Sequence, residues 1–212
     1  MRSFIKALKL HFLFKINSLI WKFLLRLNGI KVGKNFYIEG GISLKLRGLR
    51  NLSYVEFGND VNIFGSIDLR TREEGCILIS DSVVIDNDVR IVAARSGKVI
   101  INRGCKISKG CIFSAGANID VGENTLIGPY CMIQASNHGT NQEGAIKGQP
   151  YSHFPISIEK GSWLAANVVV LAGIIVREGS VIGASSVLTK DTLKNSVNMG
   201  NPSRNIGNRL AT

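Results

Sequence analysis

The chain has 212 residues, 45% of them hydrophobic and 19% charged, with a formal net charge of +11. Its 23 glycines and 4 prolines supply frequent turns without a collagen-like period or a disordered composition. The charge is local, since the first 50 residues carry 11 Lys or Arg against one acid, Glu39, whereas the other 162 hold 15 bases and 14 acids; bases gathered at one end argue against nucleic acid, which calls for them along a groove or face.

Residues 1–28 read as a basic amphipathic helical segment in which Phe4, Leu8, Phe12, Ile16, Leu19, Phe23 and Leu27 keep helical spacing. Arg2, Lys6 and Lys9 face one way and Lys15, Lys22 and Arg26 nearly the opposite way, which predicts a bend near Asn17 and Ser18. Lys or Arg interrupts the apolar run too often for a membrane span, and no small-residue cleavage site follows, so a cytoplasmic chain is expected. Two roles stay open for this segment. It caps an exposed end of the domain that follows, or it rests on an anionic membrane, which would put the protein at the inner face of the cytoplasmic membrane.

Residues 29–192 carry an aliphatic or aromatic residue every sixth position in seven triplets. These are Val32, Ile38, Leu44; Phe57, Ile63, Leu69; Ile79, Ile85, Ile91; Ile101, Ile107, Phe113; Val121, Ile127, Ile133; Ile158, Leu164, Val170; and Val176, Ile182, Leu188. A period of six fits neither helix nor flat sheet, whose faces recur at about 3.6 and 2 residues. It fits an all-β solenoid of about seven triangular coils, one large inward residue per side. Four residues further on, a second column of small or β-branched residues includes Ser162, Val168, Ile174, Ser180 and Ser186. Leu69 to Ile79 and Ile91 to Ile101 are each ten residues, which predicts four-residue bulges at one corner of successive coils. The jump from Ile133 to Ile158 predicts an excursion loop over 134–157, the place where function is expected on a rigid scaffold. A C-terminal tail, 193–212, follows.

Three of the four cysteines, Cys105, Cys111 and Cys131, fall in the second column and read as small core residues. Cys76 falls between coils without an assignable role. No CxxC pair, Walker motif or Rossmann motif is present, so neither a structural zinc nor ATP or NAD is indicated.

The run WLAANVVVLAGIIVREGSVIGASSVLTKD with GNPSR at 200–204, and the segment IGPYCMIQASNHG at 127–139, resemble the left-handed β-helix (hexapeptide-repeat) acyltransferases, most closely the maltose, galactoside and bacterial polysaccharide O-acetyltransferases. The resemblance covers about residues 30–205. It implies a left-handed coil, acetyl-CoA as acyl donor without a metal, and His138 as the general base that takes the acceptor hydroxyl's proton. It implies the Ala166 N–H as oxyanion donor, although Ala165 stands where the family has glycine. Acyl-CoA contacts are expected from Trp163, Ala166, Ala184, Ser185, Lys190 and Arg204, the last replacing a more usual lysine. Solvated charge for Lys190 and packing for Trp163 are the alternatives.

Ser114, Asn137, Glu143, Gln149 and Tyr151 are candidate acceptor contacts, and Ser114 reads equally as an outward serine on a coil. His153, inside the excursion, reads either as an acceptor contact or as a solvated loop residue. The acceptor is expected to be a sugar, with a surface-polysaccharide precursor favoured by the bulges and the basic segment; an amino-sugar N-acetyltransferase is the alternative within the family. A metal hydratase on the same solenoid needs three His ligands, and an ice-binding face needs an outward Thr-x-Thr ladder; neither is present in the sequence. Outward apolar residues such as Val169 and Ile175, with the resemblance, imply a homotrimer whose acyl-CoA groove lies between subunits.

Overall fold

The computed structural model describes residues 2–48 and 54–211, with side chains described from residue 10 onward. A helix, α1 (Arg2–Leu27), precedes a parallel β-solenoid of seven coils whose strands sort into three sheets, one per side. Every triplet read from the sequence forms one coil. The register stacks Val32 on Phe57, Ile63 on Ile85, Ile91 on Phe113, Ile133 on Val170 and Leu164 on Ile182, so each side is a ladder of sixth residues. All of these side chains are buried except Leu44, which is partly covered. Burial at about 25 cal/mol per Å² makes this column the main favourable term of the fold.

The second column is buried as well: Val168, Ser180 and Ser186 are inaccessible, and the serine hydroxyls find partners, as where Ser162 donates to the Glu159 carbonyl at 2.7 Å. Cys105, Cys111 and Cys131 are buried core thiols, and burial pushes Cys105 up to about 11. Cys76 is buried too, at the start of strand Cys76–Ile79, a core role that its position between triplets concealed. Corners turn through left-handed backbone at Asn35, Asp60, Ser82 and Asn124 on one edge and at Asp88, Tyr130, Asn167 and Ser185 on the next, mostly residue types that tolerate it.

The extra residues expected as corner bulges are partly strand: the strand after Leu69 runs on to Glu73 and that after Ile91 to Ala93, with a turn over 94–97. On the third side of the prism the strands run Ile42–Gly48, Ile67–Glu73, Val89–Ala93, Ile112–Ala115, Met132–Gln134, Val169–Val170 and Val187–Leu188, shortening up the solenoid like a stair. Arg47 pairs Arg72, and Thr71 pairs Ala93, well past the inward aliphatics. The extension holds because it adds its own inward column, with Thr71, Ala93, Ala115 and Ala135 all buried. Its outward column is Lys45 and Arg47, then Arg70 and Arg72, then Val92, Ser114 and Gln134.

The helix differs from expectation in two ways. It runs as one continuous helix from Arg2 to Leu27, with no interruption at Asn17 and Ser18. Those residues dock it: Asn17 Nδ2 donates to the Gly40 carbonyl at 2.8 Å, and Ser18 Oγ accepts the Ile38 N–H at 2.8 Å. Lys22 and Arg26 donate to the Gly33 and Val32 carbonyls, at 2.6 and 2.9 Å, while Leu25 is buried and Trp21 packs against the core. The edge of the first coil is therefore capped by a largely polar stripe, which satisfies carbonyls that no earlier coil reaches. The apolar stripe read from the sequence faces outward, with Phe12, Leu19, Phe23 and Leu27 more than 60% exposed; the side chains of Phe4, Leu8, Arg2, Lys6 and Lys9 lie outside the described residues. Among the described residues no helix is long and apolar enough to cross a membrane.

At the far end the tail is ordered into the fold. Ser196–Met199 pairs on the second side of the seventh coil, and Arg204–Asn208 folds back on it antiparallel, closing the top of the solenoid. The excursion is narrower than 134–157, since Met132–Gln134 and Ile156–Ile158 belong to coils five and six.

Candidate active site

Between those strands the excursion forms a two-stranded antiparallel hairpin, Ser136–His138 against Tyr151–His153, whose tip carries a 3₁₀ turn at Ile146–Gly148. The pairing sets His138 opposite Tyr151, and their ring centroids lie 4.0 Å apart. Ser136 is opposite His153, with Ser136 Oγ 2.9 Å from His153 Nδ1, and the Tyr151 and His153 rings lie nearly parallel at 6.1 Å. The three rings line one side of a cavity of about 400 Å³. Its floor is the outward face of the third sheet, Val92, Ala94, Ser114 and Gly116, with Gln134 and Ser136 above and Arg72, Glu73 and Arg95 at the lower rim.

His138 is exposed at the mouth, held by backbone pairing and by the Tyr151 ring. His153 is not the solvated loop residue that was one reading of it: its ring rests on Gly116, where a Cβ would overlap Nδ1 and Ser136 Oγ, so glycine is required for the close approach. Its Nε2 is buried without a hydrogen-bond partner among the described residues. Burial and, second, the charge of Arg95 hold this imidazole below its ordinary range. A neutral imidazole with one free nitrogen can accept a proton or a hydrogen bond in the cavity.

Of the expected acceptor contacts, Ser114 and Tyr151 line the cavity, and Asn137 is exposed on the same strand as His138. Glu143 sits exposed near the hairpin tip, away from the cavity lining. Gln149 is buried and committed to the hairpin itself, donating to the Gln142 carbonyl at 2.9 Å and accepting the Gln142 N–H at 3.2 Å. Arg72, Glu73, Arg95, Gly116 and Gln134 were not singled out from the sequence. For Arg72, Glu73 and Arg95 the signal was the extra residues after Leu69 and Ile91, whose paired strands carry them to the rim.

The expected acyl-CoA residues lie elsewhere on the prism. Ala166 and Ala184 occupy stacked corners between the second and third sides, with the Ser185 N–H donating to the Ala166 carbonyl at 2.9 Å. Among the described residues the N–H groups of Ala166 and Ala184 find no hydrogen-bond partner. One coil below, the same corner position is Pro129, which has no N–H, so the fold does not use this donor and leaves it open to a ligand. Trp163 is about half exposed on the second side; Lys190 is exposed just past the seventh coil and Arg204 in the closing hairpin. Within one chain the Ala166 corner and His138 stand at opposite ends of the third side, roughly 15–20 Å apart at about 3.3 Å per strand residue.

The described residues form a three-sided hexapeptide solenoid with a histidine-bearing hairpin over one face, and known proteins with hexapeptide repeats are what the chain is similar to. A family model, the hexapeptide repeat of succinyl-transferase, matches residues 155–190. Galactoside O-acetyltransferase of Escherichia coli K12 is 38% identical over 79 residues, 37% of this chain and 38% of that protein, so the match spans well under half of the relative. Among solved structures, the polysialic acid O-acetyltransferase OatWY superposes with a TM-score of 0.62 at 16% identity, covering 86% of this chain and 90% of that one. AntD, an N-acyltransferase from Bacillus cereus solved with dTDP-4-amino-4,6-dideoxyglucose and coenzyme A, gives 0.56 at 15% identity over 90% of each chain. The chain is thus a hexapeptide-repeat solenoid similar in sequence to galactoside O-acetyltransferase over 37% of its length and similar in fold to solved acyltransferases over most of its length.

The depressed His153 has a consequence for stability. The unfolded chain takes up this proton at higher pH than the folded one, so the group's contribution is complete above the ordinary histidine pKa of about 6.5 and is lost as pH falls below it. Urea midpoints measured from about pH 8 to about pH 5 should fall on the acid side. The His153→Gln variant should show a shallower fall, and superimposable profiles would show that His153 titrates normally.

Proposed function

We propose that this protein is an acetyl-CoA-dependent O-acetyltransferase that acetylates a hydroxyl of a sugar, a precursor of a bacterial surface polysaccharide, with His138 as general base. The observation that carries this reading is the hairpin that holds His138 at the mouth of a cavity lined by sugar-suited polar groups, Ser114, Gln134 and Tyr151, on a solenoid whose sequence relatives are O-acetyltransferases.

In the reaction the acceptor oxygen attacks the thioester carbonyl carbon as its proton passes to the His138 imidazole. Negative charge gathers on the former carbonyl oxygen, where the unengaged Ala166 N–H is the donor; such a donor is worth roughly a hundredfold or more in rate. Collapse of the tetrahedral intermediate breaks the C–S bond, and the proton held by His138 goes to the leaving coenzyme A sulfur. Products are the acetyl ester and free coenzyme A. An amine acceptor would use the same groups, and mass spectrometry with NMR of the product separates ester from amide. With acetyl-CoA and a sugar panel, His138→Ala should lower kcat by about 10²–10⁴-fold while acetyl-CoA affinity stays near wild type. Near-normal kcat in that variant would remove His138 from the mechanism.

The separation of Ala166 from His138 within one chain supports a site completed by a second copy, the corner of one subunit meeting the mouth of the next. We read the assembly as a homotrimer, with Trp163, Ala166, Ala184, Ser185, Lys190 and Arg204 as the acyl-CoA wall of the groove. Sedimentation equilibrium at micromolar concentration should return three times the chain mass; a monomer there would require another source for the oxyanion donor.

We further place the protein at the inner face of the cytoplasmic membrane. The outward stripe of α1 carries Phe12, Leu13, Ile16, Leu19, Ile20, Phe23 and Leu27, all exposed, on a segment of net positive charge. That combination suits an interfacial helix lying in an anionic leaflet. Intact protein should pellet with phosphatidylglycerol-containing vesicles at low ionic strength and be released by salt, and Phe23→Ser with Leu19→Ser should weaken pelleting without lowering Tm. Indifference to anionic vesicles would leave the apolar stripe to a protein partner.

A further inference from the structure

The outward face of the third sheet changes character along the solenoid axis. On coils one and two it carries Lys45, Arg47, Arg70 and Arg72, with Arg95 just beyond the third strand; from coil three to coil five it carries the cavity floor and His138's hairpin. The parallel register puts Lys45 directly beside Arg70, and Arg47 directly beside Arg72. Like charges at directly paired positions cost stability, so the arrangement needs a compensating source of negative charge. Asp68 supplies it for two residues only, holding Arg70 at 2.7 Å and Arg90 at 3.0 Å. Among the described residues Lys45, Arg47, Arg72 and Arg95 form no ion pair, and all four are exposed. Among the described residues Glu73 is the one carboxylate lining the cavity, and it is engaged by the Arg95 backbone N–H at 2.6 Å.

We propose that this face is an anion track that seats an acidic acceptor, so that the sugar presented to His138 belongs to a chain or precursor carrying carboxylate or phosphate groups. The inference rests on the O-acetyltransferase reading and names its substrate class. At about 4.8 Å per coil, Arg72 lies roughly 14 Å and Arg47 roughly 19 Å below the strand that begins the His138 hairpin. That reach exceeds one monosaccharide and suits an extended acceptor running along the axis. Arginine forks suit both carboxylate and phosphate oxygens. A nucleic acid is the less fitting polyanion, because the basic stretch of Lys45, Arg47, Arg70 and Arg72 carries no ring on which successive bases could stack, and the rings of His138, Tyr151 and His153 stand only at its upper end. The basic rim also accounts for the extension of the lower strands, which the solenoid core alone does not require.

The test is equilibrium binding of full-length protein at low ionic strength to four probes: an oligouronate, an oligomeric glycerol phosphate, neutral dextran, and a single-stranded oligonucleotide. At least one of the two anionic non-nucleotide probes should bind, with affinity falling steeply as salt rises, and dextran should not. Arg72→Gln and Arg95→Gln should each weaken that binding about tenfold. Glu73→Gln should strengthen it, and Lys106→Gln, on another side of the prism, should leave it unchanged. Which of the two probes binds identifies carboxylate or phosphate as the recognised group. Failure of both, equal binding of dextran, tighter binding of the oligonucleotide, or arginine variants equal to wild type would each overturn the track. Acetyl-CoA affinity is measured in parallel: its persistence when the track fails confines the failure to the acceptor class, and its absence would overturn the acetyltransferase reading instead.

Discussion

The structure depends on the parallel register that stacks each coil on the next. Every strand donates and accepts backbone hydrogen bonds along the axis, so a residue's position within its coil determines its neighbours above and below. A shift of one residue would exchange inward aliphatics for outward polar groups, which makes the register strongly specified wherever the core is continuous. Ile79, Ile101, Val121 and Ile158 share one ladder for this reason, although the residues between them number from 19 to 36. Variation in loop length is absorbed at the corners and at the end of the third side. Function is built where that variation accumulates.

The lower coils use the freedom to lengthen one side. Each added residue must bury or expose a side chain in alternation, and Thr71, Ala93, Ala115 and Ala135 fill the inward positions with small groups that fit a narrowing edge. Their outward neighbours then form an ordered surface, basic at the base of the stair and small-floored further up. Coil five spends its extra residues on a hairpin that folds over the small floor, and Gly116 gives the space in which His153 settles. The histidines, the cavity and the arginine rim are thus products of one device, unequal strand lengths on a common ladder.

At the start of the chain the same backbone logic explains the helix. The first coil has no coil beneath it, so its carbonyls at Val32, Gly33, Ile38 and Gly40 need donors from elsewhere. Asn17, Ser18, Lys22 and Arg26 supply or complete that edge. Cationic side chains in contact with carbonyl oxygens are well satisfied there, and burial together with the Arg26 charge lowers the Lys22 amine. The apolar stripe of the helix is displaced to solvent as a result, which reverses the usual arrangement of a surface helix and leaves an adhesive face on the outside.

Much of this was written in the order of residues. The period of six required a three-sided solenoid because an aliphatic at every sixth position has no other way to share one core, and all seven triplets paired as their spacing implied. His138 could be singled out through the resemblance of its flanks and its place at the long interruption, Tyr151 as an aromatic within that interruption, and Ser114 only through its match to a family position. Other features were decided only by tertiary structure. The helix could be recognised from its pattern, but which stripe docked depended on the unpaired carbonyls of a coil edge. Arg72 and Arg95 lie more than 40 residues before His138 in the chain, and nothing local to them refers to it; stacking in register brings them to one rim. Gln149 looked available until its amide closed the hairpin on Gln142. Periodicity records which side chains a residue must share a core with, whereas a site is made by residues that meet on the outside, and only the folded ladder says which those are.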